Sequence, residues 1–113
     1  MDKKVRDVSV PADWDRRGLP GWCYHSASLL ELEKEEIFKT HWQIACHISD
    51  IPELGSYVTF DLCEERAIII RDNDNNVRAF HNICRHRGSR LVAQEQGTCP
   101  NALICPFHGW VYN

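Results

Sequence analysis

Two short motifs, each with one cysteine and one histidine, constrain this chain more than any other feature. The first is Cys84-x-His86 and the second is Cys105-x-x-His108, with 18 residues between them. Thiolates and imidazoles are the side chains that bind borderline and soft transition metals, so two such pairs predict a metal centre. Each pair follows a strand-like segment, and we therefore expect two loops that hold the metal from opposite sides.

The four side chains suit two kinds of metal centre. A structural zinc ion is one, but isolated zinc modules usually pair like ligands, as in Cys-x-x-Cys and His-x₃-His, whereas both pairs here are mixed. An iron–sulfur cluster with two cysteine and two histidine ligands is the other. There the thiolates bind one iron, and the imidazoles bind the second iron and raise the reduction potential. One cysteine and one histidine from each loop would serve both irons.

The residues beside the two pairs favour the cluster. Gly88 and Gly109 follow the histidines, and without a Cβ they let backbone N–H groups approach sulfide atoms. Pro106 fixes one φ angle in the second loop, while Phe107 and Trp110 can screen the metal from water.

Charge and composition exclude several classes of protein. The 113 residues suffice for one domain, and a hydrophobic content of 43% allows a modest core. A net charge of −3 argues against nucleic acid as a partner. No stretch is apolar enough to cross a membrane, and residues 1–10 lack the apolar core of a signal peptide. We therefore expect a cytoplasmic protein, whose six cysteines are thiols or ligands rather than disulfides.

Arginines cluster around the first motif, and their role has two interpretations. They are either solvated surface charge, or they dock an acidic electron donor or orient the loop through salt bridges. These arginines are Arg85, Arg87 and Arg90.

The hydrophobic pattern predicts a mainly β chain behind an N-terminal arm and one helix. We expect an irregular arm packed by Trp14 and Trp22, and a capping box of Ser28 and Glu31 at the start of a helix that ends near His41. Alternating and β-branched runs then predict strands, residues 72–76 predict a turn, and residues 84–97 predict mostly loop. The strands are predicted at 42–47, 57–62, 66–71, 77–83, 103–105 and from Trp110 onward.

The two motifs also resemble those of a known family. Asn82 to Leu91 (NICRHRGSRL) and Cys105 to Trp110 (CPFHGW) are similar to the Rieske motifs of ring-hydroxylating, non-haem iron oxygenase α subunits. The likeness covers roughly residues 20–113. It implies a Rieske-type fold of small antiparallel sheets that carries a [2Fe–2S] cluster. The implied ligands are Cys84, His86, Cys105 and His108, surrounded by Arg87, Gly88, Phe107, Gly109 and Trp110.

The resemblance implies a place in an oxygenase. In that family a reductase or ferredoxin supplies electrons, the cluster relays them to a mononuclear Fe(II) in a neighbouring subunit, and O₂ is used to hydroxylate or demethylate a substrate. The α subunits often form trimers. They are several times longer than this chain, so we expect an N-terminal piece: an arm and helix at 1–41, a Rieske domain at 42–113 cut short at its C-terminal end, and no catalytic domain. Such a piece would not be catalytically competent alone.

Two alternatives to the oxygenase hypothesis stay open at this point. One is a stand-alone Rieske ferredoxin, against which the arm and helix of residues 1–41 argue. The other is a zinc-stabilised binding module with no redox role.

Respiratory-complex Rieske proteins differ at two positions. They carry an extra cysteine in each loop, and the two form a disulfide. Ser89 and Phe107 stand there in this chain. The resemblance therefore implies a cluster without that disulfide, with a potential near the low end of the Rieske range, about −150 mV.

Overall fold

The computed structural model describes residues 18–113. They belong to two compact units, Met1–Gln43 and Ile44–Asn113. The predicted arm lies largely outside the described residues, Trp14 included. Trp22 is described: it lies in a 3₁₀ turn, Gly21–Tyr24, and is half-exposed. No helix among residues 18–113 has the length and apolar character needed to cross a bilayer.

The predicted helix is present, but its start and its cap differ from the prediction. Helix α1 spans Ala27–Glu33 and continues as a π-helical segment, Lys34–Phe38. The N-cap is Ser26, whose hydroxyl accepts a hydrogen bond from the N–H of Leu29 at 3.2 Å. The capping box expected at Ser28 is therefore wrong, because Ser28 already lies inside the first turn. The earlier cap satisfies a backbone donor that the helix itself leaves unpaired.

The strand predicted at 42–47 does not form. Trp42 and Ile44 are almost fully exposed, and within residues 18–113 this stretch has no neighbouring strand to pair with. The stretch has a β-like composition, but a strand needs a hydrogen-bonded partner as well as propensity.

The second unit is built from antiparallel strands, as predicted. The larger sheet has the order β3-β2-β1-β4, and a two-stranded sheet pairs β5 with β6. Strand β4 falls in a segment predicted as loop, and it pairs with β1 through Tyr57 and Gly97. The strands are β1 Ser56–Leu62, β2 Glu65–Arg71, β3 Val77–His81, β4 Gln96–Thr98, β5 Leu103–Ile104 and β6 Val111–Tyr112.

The turn predicted at residues 72–76 is present between β2 and β3. The carboxylate of Asp72 organises it. It accepts hydrogen bonds from the backbone N–H groups of Asp74 and Asn76, at 3.0 and 2.8 Å, and pairs with the guanidinium of Arg78. Asn75 takes a left-handed backbone conformation with φ at 64°. Asparagine tolerates that region because its side chain is short and polar.

Consecutive apolar residues on the central strands serve two cores. Successive side chains of a strand point to opposite faces of a sheet, so Ile68 and Ile69 enter different clusters. Ile69 joins Val58 and Ile51 on one face. The other cluster contains Tyr57, Ile68, Leu91, Cys84 and Cys105. The isoleucine run therefore explains how one face of the sheet reaches the two cysteines of the motifs.

Candidate metal centre

The two motifs fold into loops with the same backbone hydrogen bonds. In the first loop (84–89), the N–H of Cys84 donates to the carbonyl of Ser89 at 2.7 Å, and that of Gly88 donates to the carbonyl of Cys84 at 2.8 Å. In the second loop (105–110), Cys105 and Trp110 form the outer bond at 2.8 Å and Gly109 the inner one at 2.9 Å. The two glycines share a φ of 74°, where other residues are strained. Both loops are thus closed by their own backbone.

The bases of the two loops are held in different ways. At the base of the second loop, strands β5 and β6 pair through Ile104–Val111 and Leu103–Tyr112. At the base of the first loop, the two chain segments are held together by the fully buried amide of Asn82. Its oxygen accepts from the N–H groups of Leu91 and Val92 at 3.0 Å, and its nitrogen donates to the carbonyl of Val92 at 2.8 Å. One side chain therefore does for the first loop what a strand pair does for the second.

The thiols of the two motifs lie together in the core. Cys84 and Cys105 are 3% and 2% exposed. The hydroxyl of Ser89 lies 3.3 Å from the sulfur of Cys105, and the hydroxyl of Tyr112 lies 3.2 Å from that of Cys84. Each sulfur therefore has one hydroxyl neighbour.

Two of these groups have shifted pKa values: the thiol of Cys105 and the hydroxyl of Tyr112. The hydroxyl of Ser89 and then the backbone N–H of Phe107, helped by the N–H of His108 and by the Cys84 side chain, lower the pKa of the Cys105 thiol to about 7. The Cys84 side chain raises the pKa of the Tyr112 hydroxyl, which consequently stays protonated. Because that hydroxyl already accepts from the N–H of Arg85 at 2.9 Å, its own proton is directed to the sulfur. The surroundings of Cys105 therefore favour its thiolate, the form that binds metal.

The imidazoles of the two motifs lie at the surface beside each other. The rings of His86 and His108 have centroids 4.8 Å apart at an interplanar angle of 70°. The indole of Trp110 stacks on His86 with centroids 4.8 Å apart and planes 7° from parallel. The ring of Phe107 lies 4.1 Å from that of His108. Aromatic side chains thus flank both imidazoles.

The fold sorts the four predicted ligands by chemistry. In the sequence each motif is mixed, yet in space the two thiols share the core and the two imidazoles share the surface. Within residues 18–113, no three His, Cys, Asp or Glu side chains gather closely enough to bind a single metal ion. Two pairs, one of sulfur and one of nitrogen, fit the donor set of a [2Fe–2S] cluster with mixed ligation, which needs two protein ligands on each iron.

The structure also assigns contacts to the residues predicted around the ligands. Arg87 lies over the ring of Phe107, 6.0 Å from its centroid, and Arg90 forms a 2.9 Å ion pair with Asp61. The salt-bridge interpretation therefore applies to Arg90. The N–H groups of Gly88 and Gly109 are engaged by cysteine carbonyls, whereas the backbone N–H groups that lower the pKa of Cys105 are those of Phe107 and His108.

Sequence reasoning missed three residues of this site: Asn82, Ser89 and Tyr112. Asn82 had a detectable signal, since it is the first residue of the Asn82–Leu91 motif that carries the family resemblance. Ser89 and Tyr112 had none, because each contacts the cysteine of the opposite motif, a relation that only the folded chain creates.

Two further cysteines and two further histidines lie outside the two motif loops. Cys99 packs against the core that holds the two motif cysteines, and Cys63 is exposed in the turn between β1 and β2. His47 caps a short 3₁₀ turn, Ile48–Asp50, and His81 is an exposed strand residue 3.8 Å from Glu65.

Comparison with known proteins decides the family. Residues 41–113 match the family described as the Rieske [2Fe–2S] domain. The chain belongs to the Rieske family. The chain is 40% identical, over 94 residues, to the glycine betaine monooxygenase oxygenase subunit of Pseudomonas aeruginosa, and the match covers 83% of this chain and 22% of the relative. It is 36% identical, over 90 residues, to the biphenyl dioxygenase subunit alpha of Metapseudomonas furukawaii, covering 80% and 19%.

Solved structures agree with this Rieske fold. A quaternary ammonium Rieske monooxygenase, studied for carnitine oxidation and inter-subunit electron transfer, superposes with a TM-score of 0.77 at 36% identity, over 83% of this chain and 26% of that one. Naphthalene 1,2-dioxygenase from Rhodococcus sp. gives a TM-score of 0.77 at 35% identity, over 84% and 21%. The predicted mainly β Rieske fold and its [2Fe–2S] cofactor are confirmed, and the zinc-module alternative falls away.

The Rieske chain spans about a fifth of the length of these curated relatives. Its likeness therefore concerns their Rieske portion.

Proposed function

We propose that this chain is the electron-transfer domain of a Rieske non-haem iron oxygenase α subunit, with Cys84 and Cys105 on one iron and His86 and His108 on the other. The observation that carries the proposal is the sorting of ligands, with both thiols in the core and both imidazoles at the surface. A Rieske cluster supplies a one-electron store whose potential depends on its ligands and on hydrogen bonds to sulfur.

The residues of the chain divide the work of such a site. Burial of Cys84 and Cys105 excludes water from the sulfur side, while the hydroxyls of Ser89 and Tyr112 offset the negative charge there. The exposed imidazoles of His86 and His108 are the part of the site that an electron partner can approach closely. Trp110 and Phe107 restrict the imidazoles' freedom.

The larger protein is proposed by analogy with its relatives. They include quaternary-ammonium monooxygenases and aromatic dioxygenases, so the proposal is an O₂-dependent mono- or dioxygenase with a mononuclear iron in its catalytic domain. We also propose the division into an arm and helix at 1–41 and a Rieske domain at 42–113, with catalytic residues outside this chain. The coverage of oxygenase subunits supports this function over a stand-alone ferredoxin.

The partners and the compartment belong to the same proposal. A reductase or ferredoxin would deliver electrons, and a second copy of the subunit would receive them, as in the relative studied for inter-subunit electron transfer. We propose a homo-oligomer, a trimer by family resemblance. The cytoplasm is the proposed location, since none of the six cysteines, all of which lie in the described part of the chain, forms a disulfide.

Ligand variants test the assignment. The chain is expressed with iron–sulfur loading, and its visible and EPR spectra are recorded before and after dithionite. Cys84→Ser and His108→Ala should lose the rhombic signal of mixed cysteine and histidine ligation and at least half of the bound iron. Cys63→Ser and His81→Ala remove an exposed cysteine and an exposed histidine and should retain both. A full signal in Cys84→Ser, or stoichiometric zinc in place of iron in the unaltered chain, would refute the assignment.

A further inference from the structure

Ser89 makes a contact that its own loop does not require. Its carbonyl closes the first loop by accepting the N–H of Cys84, which fixes the backbone at this residue. Its side chain, half-buried, then reaches across to the second loop and lies 3.3 Å from the sulfur of Cys105. Alanine at this position could accept the same backbone hydrogen bond, so the hydroxyl contact is independent of loop closure.

The second loop provides an internal comparison. Ser89 and Trp110 hold the same position, five residues after the cysteine, and their carbonyls accept equivalent hydrogen bonds. Trp110 stacks on His86 of the first loop, while Ser89 contacts Cys105 of the second. Each loop thus places its last residue on a predicted ligand of the other loop.

The direction of the hydrogen bond follows from the chemistry of the ligand. A cysteine that binds iron is a thiolate and has no proton to give, so the hydroxyl of Ser89 must donate. Hydrogen bonds to a charged acceptor are stronger than neutral ones. Reduction adds one negative charge to the cluster as a whole, and a hydrogen-bond donor held at one of its sulfur ligands therefore stabilises the reduced state more than the oxidised state.

We propose that Ser89 is a positioning residue that raises the reduction potential of the site by donating a hydrogen bond to the Cys105 thiolate across the two loops. This inference rests on the proposed function, since it presumes that Cys105 is a ligand. Tyr112 supplies the corresponding donor to Cys84, so Ser89 completes a set of one hydroxyl donor for each thiolate.

The test is a redox titration of the loaded chain, followed by EPR. Ser89→Ala removes the hydroxyl and keeps the Cβ. At the midpoint potential of the unaltered protein, the ratio of reduced to oxidised cluster should fall about fivefold, equivalent to about 40 mV at 59 mV per factor of ten. Ser89→Thr keeps the hydroxyl and should restore the ratio. Ser49→Ala, which alters an exposed serine of a 3₁₀ turn, should leave it unchanged.

The outcomes separate this inference from the function it rests on. If Ser89→Ala loads a full cluster with an unaltered midpoint, the inference is wrong and the proposed function stands. If the unaltered chain takes up iron and sulfide but its EPR signal lacks histidine ligation, the proposed function fails and this inference fails with it. Should Ser89→Ala not load, Ser89→Cys provides a weaker donor of similar shape. Its midpoint should fall below that of Ser89→Thr, and equal midpoints would overturn the inference.

Discussion

The indole of Trp110 lies parallel to the imidazole of His86, with planes 7° apart and centroids separated by 4.8 Å, although the two residues belong to different loops. The stack covers one face of an otherwise exposed imidazole. It also ties the second loop to the first at the surface, above the buried thiols.

Replacement of Trp110 by alanine should speed the loss of the cluster. An aromatic stack of this kind contributes about 1 kcal/mol, so the rate of bleaching in air should rise about fivefold. Visible absorbance followed over time measures it. Trp22→Ala is the matched control, because Trp22 is exposed to a similar degree, 43% against 47%, and lies in the first unit. Equal rates in the two variants would contradict a protective role for the stack.

Tyr112→Phe should lower the reduction potential while leaving the fold intact. It removes the hydroxyl 3.2 Å from the sulfur of Cys84 and keeps the ring. A difference of about 1 kcal/mol between the two redox states corresponds to a decrease of about 40 mV. Potentiometric titration measures the midpoint, with Tyr24→Phe as control, since Tyr24 is 74% exposed in the first unit. A midpoint that stays at the original value would show that the hydroxyl does not bond to a ligand.

Asn82→Ala should be among the most destabilising substitutions in the second unit. It deletes three hydrogen bonds and leaves the buried N–H of Leu91 without its acceptor. The free energy of unfolding should fall by about 2–4 kcal/mol, as measured by denaturant titration. Asn101→Ala, at an exposed position, should change it little. A loss below about 1 kcal/mol would mean that the first loop does not depend on this side chain.

Asp72 should make the stability depend on pH in the acid range. The hydrogen bond from Arg78, followed by that from the N–H of Asn76, holds the pKa of Asp72 below its ordinary value of 3.8. A carboxyl whose pKa is lower in the folded chain stabilises the fold above its ordinary pKa, and the contribution disappears as the pH falls through the folded value.

The matching experiment compares Asp72→Asn with the unaltered chain by thermal unfolding. The variant should unfold at a lower temperature at pH 7, and the difference should shrink as the pH decreases below 3.8. Asp74→Asn removes the same charge from the same turn and serves as the control. A difference that is constant from pH 7 to acid would argue against the ionised Asp72–Arg78 pair.

The sequence was sufficient for features that depend on local chemistry. The spacing of Cys84, His86, Cys105 and His108 identified the motifs, and alternating and β-branched runs located β1, β2 and β3. Prediction from the sequence failed where strand formation depends on a pairing partner. Residues 42–47 have strand composition but pair with no strand among residues 18–113. Gln96–Thr98 lacks an apolar pattern and is a strand because it pairs with β1. The contacts of Ser89 and Tyr112 cross between motifs, and no local rule predicts them.

The self-closing loops also bear on how such a site can diversify. Two backbone hydrogen bonds and one glycine set the backbone shape of each loop, so that shape depends little on the exposed side chains of the loop. Arg85 and Arg87 are exposed beside the first-loop histidine. Selection can therefore exchange these two side chains to suit a different electron donor without rebuilding the ligand geometry beneath them. Recognition and metal binding can evolve on separate residues of the same twelve.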